Sequence, residues 1–216
     1  QVVIRRETSN QTSPASNQDL VTGLFNRHHF VELMDKALDR SVHAGKAASL
    51  AFMRVDRQST LLASIGIAGM DLLLADLAKM LREHFPEQVQ LARFSDDAFT
   101  ALIPDQSPDQ TEAALKALLK TAETHLFDAD GRTVQITLSI GVAALDEQTT
   151  RSQDVIDRAH RCADDLKDGN ALKLFNPADE LEAAASRGDM LAMIQHAMEN
   201  NQFRLLFQPV VSLHGD

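Results

Sequence analysis

Acidic side chains gathered at a turn are the first place where this sequence could do chemistry. Arg93-Phe94-Ser95-Asp96-Asp97-Ala98-Phe99 puts two adjacent acids where a hairpin tip ordinarily carries Gly or Asn, because such turns favour positive φ. Asp96 and Asp97, with Asp56 at the end of the preceding apolar run as a third oxygen donor, could hold a hard cation. On residue types alone, a solvated acidic turn explains them better. The other candidates read as structure. His28-His29 are adjacent, and adjacent residues on a helix point in different directions, so they suit a helix start and not a metal site. The single cysteine, Cys162, reads as a packed thiol; it can form no internal disulfide, and zinc sites built on several cysteines are excluded. The seven methionines are scattered and read as core filler. The phosphate loops G-x-x-x-x-G-K-[ST] and G-x-G-x-x-G, the zinc motif H-E-x-x-H and the nucleophile elbow G-x-S-x-G are all absent.

The elements that must position such residues come from a chain of 216 residues, 44 % of them apolar, enough for one large domain plus pieces of its neighbours. Its 21 cations and 31 acids leave a net charge of −10, which argues against a surface built to neutralise nucleic-acid phosphates. No apolar run approaches the ~20 residues of a membrane span, and no signal-peptide pattern opens the chain, so a cytoplasmic setting without membrane insertion is expected. The first residue is Gln and the last is Asp in mid-phrase, so the chain reads as a fragment.

Val2-Val3-Ile4 looks like the end of a strand, followed by a polar linker over residues 7–18. Phe30, Leu33, Met34, Ala37 and Leu38 recur at helical spacing. Ser49–Val55 reads as a strand and Met70–His84 as an amphipathic helix stopped by Pro86. Val89–Phe94 and Phe99–Ile103 form a hairpin around the acidic tip. Pro108–Leu126 is a helix, Asp130-Gly131 a turn, Val134–Val142 a strand, Gln153–Leu166 a helix and Ala171–Phe175 a last strand. Helices alternating with strands around a central hairpin predict an α+β fold, a mixed sheet flanked by helices on a ferredoxin-like plan. Beyond Pro177 the character changes: a helix over Ser186–Asn200 with Leu191, Ile194 and Met198 on one face, then a strand over Phe203–Val211 that cannot bury its faces alone.

Three motifs in order resemble the GGDEF domains of the diguanylate cyclase family. Asp19-Leu20-Val21-Thr22-Gly23-Leu24-Phe25-Asn26-Arg27-His28-His29-Phe30 is similar to D-x-L-T-G-L-x-N-R-x-x-F. Thr137-Leu138-Ser139-Ile140-Gly141-Val142-Ala143 is similar to T-x-S-x-G-[VI]-A, and Arg93–Phe99 sits where R-x-G-G-D/E-E-F belongs. The likeness covers about Asp19 to Pro177 and implies a nucleotidyl-cyclase-like fold. Phe203–Leu213 resembles the opening of an EAL domain, the cyclic-di-GMP phosphodiesterase family, and Val2–Arg6 resembles a final PAS strand. The implied organisation is a linker or PAS end over 1–18, a GGDEF domain over 19–177, and a linker helix with the first EAL strand over 178–216.

An active family member joins two GTP molecules into cyclic di-GMP and needs a cation cage, a glycine turn for phosphates and donors for guanine. Counting back from Gly66 and Asp71, which fit G-H-x-x-G-D, the resemblance puts Arg54 at the metal-binding aspartate, Ser59 at the phosphate-binding lysine and Leu62 at the guanine-binding asparagine. Asp71 keeps the second guanine contact. At the hairpin Ser95 and Asp96 replace the two glycines, Asp97 keeps a metal-ligand carboxylate, Ala98 replaces the catalytic acid and Phe99 is retained. In the last helix Asp164 or Asp165 replaces a phosphate-binding lysine, and Pro86-Glu87-Gln88-Val89 lacks the charges of the product-inhibition motif R-x-x-D. The resemblance therefore implies an inactive regulatory and interaction module with no catalytic residue, metal or cofactor. Asp71 and Asp97 are vestiges of nucleotide binding, and Leu62 is expected to be buried. Its expected partners are EAL and PAS domains, other signalling proteins and a second copy as a homodimer. The resemblance extends to degenerate GGDEF–EAL receptors of the FimX type, which implies a role in type IV pili and twitching motility. The rival expectations are a GTP-binding domain that activates an EAL phosphodiesterase and, less favoured, an active cyclase. Arg54 is expected to pair with Asp97 in place of the metal.

Overall fold

The computed structural model describes residues 17–106, 108–145, 149–179 and 190–199. The chain divides after Phe175 into two compact units. In the first, a short strand β1 (Phe25–Asn26) leads into α1 (Arg27–Ala44), then β2 (Ala48–Val55), α2 (Gln58–His84), β3 (Gln90–Arg93), β4 (Ala98–Pro104) and α3 (Pro108–Thr124). A small hairpin of β5 (Phe127–Ala129) and β6 (Arg132–Val134) follows, then β7 (Leu138–Leu145), α4 (Ser152–Asp164) and β8 (Ala171–Leu174). The six-stranded sheet has the order β1-β3-β4-β2-β7-β8, antiparallel within β3-β4-β2-β7 and parallel at both edges. Its central strands, taken as β2-α2-β3-β4-α3-β7, carry the split βαβ plan, so the expected mixed-sheet α+β fold is what forms.

Each element has a local cause. Asn26 caps α1 by accepting the His29 N–H at 3.0 Å, and Gly45 ends the helix at φ 59°. Period-2 alternation in the strands then sorts the core into two layers. Met53, Val55, Phe99, Ala101 and Ile140 face α2 and α3, while Leu50, Phe52, Ala98, Leu102 and Ala143 face α1 and α4.

Three readings of the sequence need correction. The helical run expected from Met70 begins at Gln58 but is interrupted at Gly66, whose φ of 71° and ψ of −179° are non-helical, so α2 is two helical segments joined at a kink. By length and composition α2 could cross a membrane, contrary to the expectation that no run does; here Met70, Leu73, Leu74, Leu77, Ala78 and Leu81 are buried in the domain. The run Val134–Val142 is not one strand. Residues 132–134 pair with β5 through the Asp130-Gly131 turn, whose residues have φ 57° and 76°, and the sheet strand starts only at Leu138. The two-residue strand β1 was missed because it is shorter than any hydrophobic period.

In the second unit, α5 (Met190–Glu199) occupies part of the expected Ser186–Asn200 helix and leaves Leu191, Ile194 and Met198 exposed. The expected strands at Val2–Ile4 and Phe203–Val211 lie outside the described residues.

The layers meet most closely at Gly141. A Cβ there would lie 1.9 Å from the Ala159 carbonyl oxygen and 2.5 Å from the Ala163 nitrogen, both backbone atoms of α4. Gly141→Ala is therefore expected to push α4 off β7 and cost about 2–3 kcal/mol, read by urea unfolding. An unchanged midpoint would contradict this packing.

Candidate functional site

The acidic hairpin and the end of β2 meet at one end of the sheet. Phe94 N–H and Ser95 N–H both donate to the Ala98 carbonyl, at 2.8 and 3.2 Å, and none of Ser95, Asp96 or Asp97 takes positive φ. The tip thus closes without the glycines that its position in the resemblance calls for. Asp97 Oδ1 accepts from the Ser95 hydroxyl at 2.9 Å, and Asp96 is exposed.

Register decides where the neighbouring groups point. Arg54 lies directly opposite Ala98 in the β2–β4 ladder, and Val55 N–H donates to the Asp97 carbonyl at 2.8 Å. Arg54 and Ala98 therefore face α1 and α4, while Asp97 falls on the alternate side with Val55 and Phe99. The expected Arg54–Asp97 pair does not form. Arg54 Nη1 instead donates to Asp164 Oδ1 at the end of α4, and Nη2 reaches the Ala163 carbonyl at 3.5 Å. This settles which acid faces the strand end: Asp164 pairs with Arg54, while Asp165 binds Lys173 at 2.7 Å. Position 98, where a carboxylate was expected in an active relative, holds an Ala that is 1 % exposed in the layer with Phe52.

Asp56 is not a free oxygen donor for a cation. Its Oδ2 accepts the Thr137 hydroxyl at 2.6 Å and the Asn170 N–H at 2.9 Å, and its Oδ1 accepts the Ser139 hydroxyl at 2.6 Å. Gly169, at φ 72°, passes so close that a Cβ would sit 2.6 Å from Asp56 Oδ2. The hydroxyls of the T-x-S motif thus tie β2, β7 and the loop after α4 together. This role was missed, although two hydroxyls alternating along a strand were its visible signal. Among the described residues, no group of three or more His, Cys, Asp or Glu is placed to hold a metal ion.

A cleft of about 470 Å³ opens over this end of the sheet, lined by Arg54, Asp56, Arg57, Ser59, Asp97 and Lys167 among others. Ser59 is exposed at the start of α2. Leu62 and Asp71 lie further along the helix and do not line the cleft. Leu62 is half-buried against the core, not buried as expected, because the first segment of α2 rests on the sheet along one side only.

The hairpin is held from below by the first motif. Asp19 Oδ1 accepts the Thr22 N–H at 2.8 Å and its hydroxyl at 2.7 Å, and Arg93 Nη1 approaches the same carboxylate at 3.4 Å. Burial pushes the Asp19 carboxyl upward, but the Thr22 donors and the Arg93 charge together outweigh it and hold the group below its ordinary value.

An α+β domain with this strand order, and a cleft over the ends of β2 and the β3–β4 hairpin, defines a nucleotidyl-cyclase-like class. The family description "Diguanylate cyclase, GGDEF domain" matches residues 16–171, and the chain belongs to the GGDEF family. Among solved structures it is similar to the FimX GGDEF domain of Pseudomonas aeruginosa, at 50 % identity and TM-score 0.71, covering 74 % of this chain and 99 % of that one. The GGDEF domain of DgcB from Caulobacter crescentus shares the fold at 18 % identity and TM-score 0.70, with 82 % of this chain and 98 % of that one covered. A curated relative is the probable diguanylate cyclase DgcE of Escherichia coli, 24 % identical over 96 % of this chain and 19 % of DgcE. Another is the cyclic di-GMP phosphodiesterase PdeB of Shewanella oneidensis, 27 % identical over 94 % of this chain and 24 % of PdeB. The chain thus spans about a quarter or less of these two curated relatives.

Two measurements test this geometry. A carboxyl held low in the fold contributes stability above its unfolded value, and that contribution is lost as pH falls through the folded value. Asp19→Asn is therefore expected to melt below the parent chain at pH 7, with the gap closing as pH drops below the ordinary carboxylate value of 3.8. A gap that persists at pH 2 would contradict the assignment. For the half-exposed Arg54–Asp164 pair, a double-mutant cycle to alanine is expected to give a coupling of about 1 kcal/mol or less. A coupling of several kcal/mol would mean the pair is a stability element and not a positional one.

Proposed function

We propose that this GGDEF domain makes no cyclic di-GMP and serves as a regulatory and interaction module in a cyclic-di-GMP signalling protein, beside EAL and PAS domains and with a second copy as a further partner. Control of type IV pili and twitching motility, implied by the FimX-type resemblance, belongs to the same proposal, as does a cytoplasmic location. The observation that carries it is the Arg54 guanidinium at the strand end. On the resemblance, a cation occupies the position where an active relative would present a metal-binding carboxylate, and its partner Asp164 is one of the two acids, with Asp165, that stand where a phosphate-binding lysine is expected. The two charges are exchanged relative to what magnesium and a triphosphate require. Ala98 leaves no carboxylate opposite Arg54 in the β2–β4 ladder, which supports the loss of the catalytic acid.

A second reading has one observation in its favour. The cleft is open, and Arg57, Ser59 and Lys167 line it, so a GTP-binding domain that stimulates an adjacent EAL phosphodiesterase remains the alternative. Calorimetric titration of the chain with GTP and magnesium separates the two: weak or no binding supports the interaction module, and saturable micromolar binding supports the sensor. For catalysis, the triple change Ser95→Gly, Asp96→Gly, Ala98→Glu is expected to yield no cyclic di-GMP above a blank, with magnesium or manganese, because Arg54 still fills the cation position. Product from that variant would overturn the reading.

A further inference from the structure

The opposite end of the same sheet carries a second groove, of about 430 Å³, which the nucleotide chemistry does not use. One wall is α1, with Leu33, Lys36 and Arg40. The other is the start of β2 with Lys46 and the end of β4 with Pro104 and Asp105. From Ala48 to Arg54, β2 rises about 20 Å, so this groove and the cleft are separate places.

Its charge runs against that of the molecule. In a chain of net charge −10, Lys36, Arg40 and Lys46 face one groove against the single acid Asp105. None of the three has an acidic partner among the described residues. Of the acids of α1, Glu32 pairs with His28 and His29 at 3.4 and 3.1 Å, Asp35 accepts from the Ser152 hydroxyl, and the exposed Asp39 forms no ion pair with Lys36 or Arg40. Besides its two walls, the groove's lining has the apolar Ala37, Ala48 and Leu102 and the amides Gln88 and Gln90.

We propose that this groove docks an acidic polypeptide segment of a partner protein, one that carries carboxylates with at least one apolar side chain between them. Three features choose this occupant over a small phosphate compound. Leu33 and Arg40 lie seven residues apart, so the wall runs for about 10 Å, the span of three extended residues and more than one phosphate. Leu33, Ala37, Leu102 and Pro104 in the lining offer an aliphatic side chain a seat that a small phosphate compound would leave unused. Asp105 on the rim repels a dense anion, whereas a peptide can place an amide there. The proposal stands whether or not the far cleft binds GTP.

The test is selection from a random peptide library on the 216-residue chain, followed by anisotropy titration of the best labelled peptide. Expected are peptides rich in Asp and Glu with Leu, Ile or Phe between them. Binding should weaken about tenfold or more in Lys36→Glu or Arg40→Glu and fall again in the triple Lys36→Glu, Arg40→Glu, Lys46→Glu, and raised salt should weaken it too. All three positions are on the surface, and unchanged circular dichroism and melting temperature show that a variant is folded. Failure to enrich acidic peptides, or equal binding by the triple variant, would overturn the proposal. So would displacement of the peptide by stoichiometric pyrophosphate or cyclic di-GMP, which would mark a phosphate site.

Discussion

The antiparallel register that sets Arg54 opposite Ala98 is the constraint on which the chemistry of this domain depends. Side chains alternate, so one pairing decides that these two positions share a face with α4 and that Asp97 belongs to the other. An acid at each of positions 54 and 98 would stand across the ladder as a pair and could trap a cation. With Arg and Ala the same register delivers a guanidinium to the end of α4. Shifting β4 by one residue would bring Asp97 opposite Arg54, but it would also turn Phe99 and Ala101 out of their core layer, so the core enforces the arrangement.

The residues that survive from the three motifs hold backbone together. Asp19 closes its own turn through Thr22 and draws in Arg93 beneath the hairpin. Thr137 and Ser139 spend their hydroxyls on Asp56, which in turn receives the Asn170 N–H. Gly141 and Gly169 are places where another group comes too close for a side chain. Each of these works without a ligand, so a sequence can keep the fold while losing every group that would touch phosphate or metal.

How much was legible in the sequence follows from the same distinction. Long amphipathic segments such as α1 and α3, and the hairpin around Ser95–Asp97, were readable because burial of one face imposes a period. The first segment of α2 was not, since it is short and is separated from the long segment by the non-helical Gly66. The β5–β6 pair was half seen, as a turn without its strands, because three-residue strands carry no measurable alternation. For the site, the resemblance marked Arg54, Ser59 and Ala98 as expected departures, and the structure gathers Arg54 and Ser59 in one cleft. Spacing is blind to which face a residue takes, and so it paired Arg54 with Asp97. The true partner, Asp164, is 110 residues away, and only the packing of α4 on β7 brings it there.

The strand order has a geometric consequence. The described chain comes in beside one edge of the sheet, where Gln18 bridges to Phe25 of β1, and leaves this unit from the other edge, after β8. Five inter-strand steps separate those edges, about 24 Å through a continuous hydrogen-bonded ladder. With Asp56 satisfied internally and α4 seated on Gly141, that ladder has no ligand-dependent joint at its centre. The points where the chain meets this unit and leaves it are thus set about one sheet-width apart by backbone hydrogen bonds.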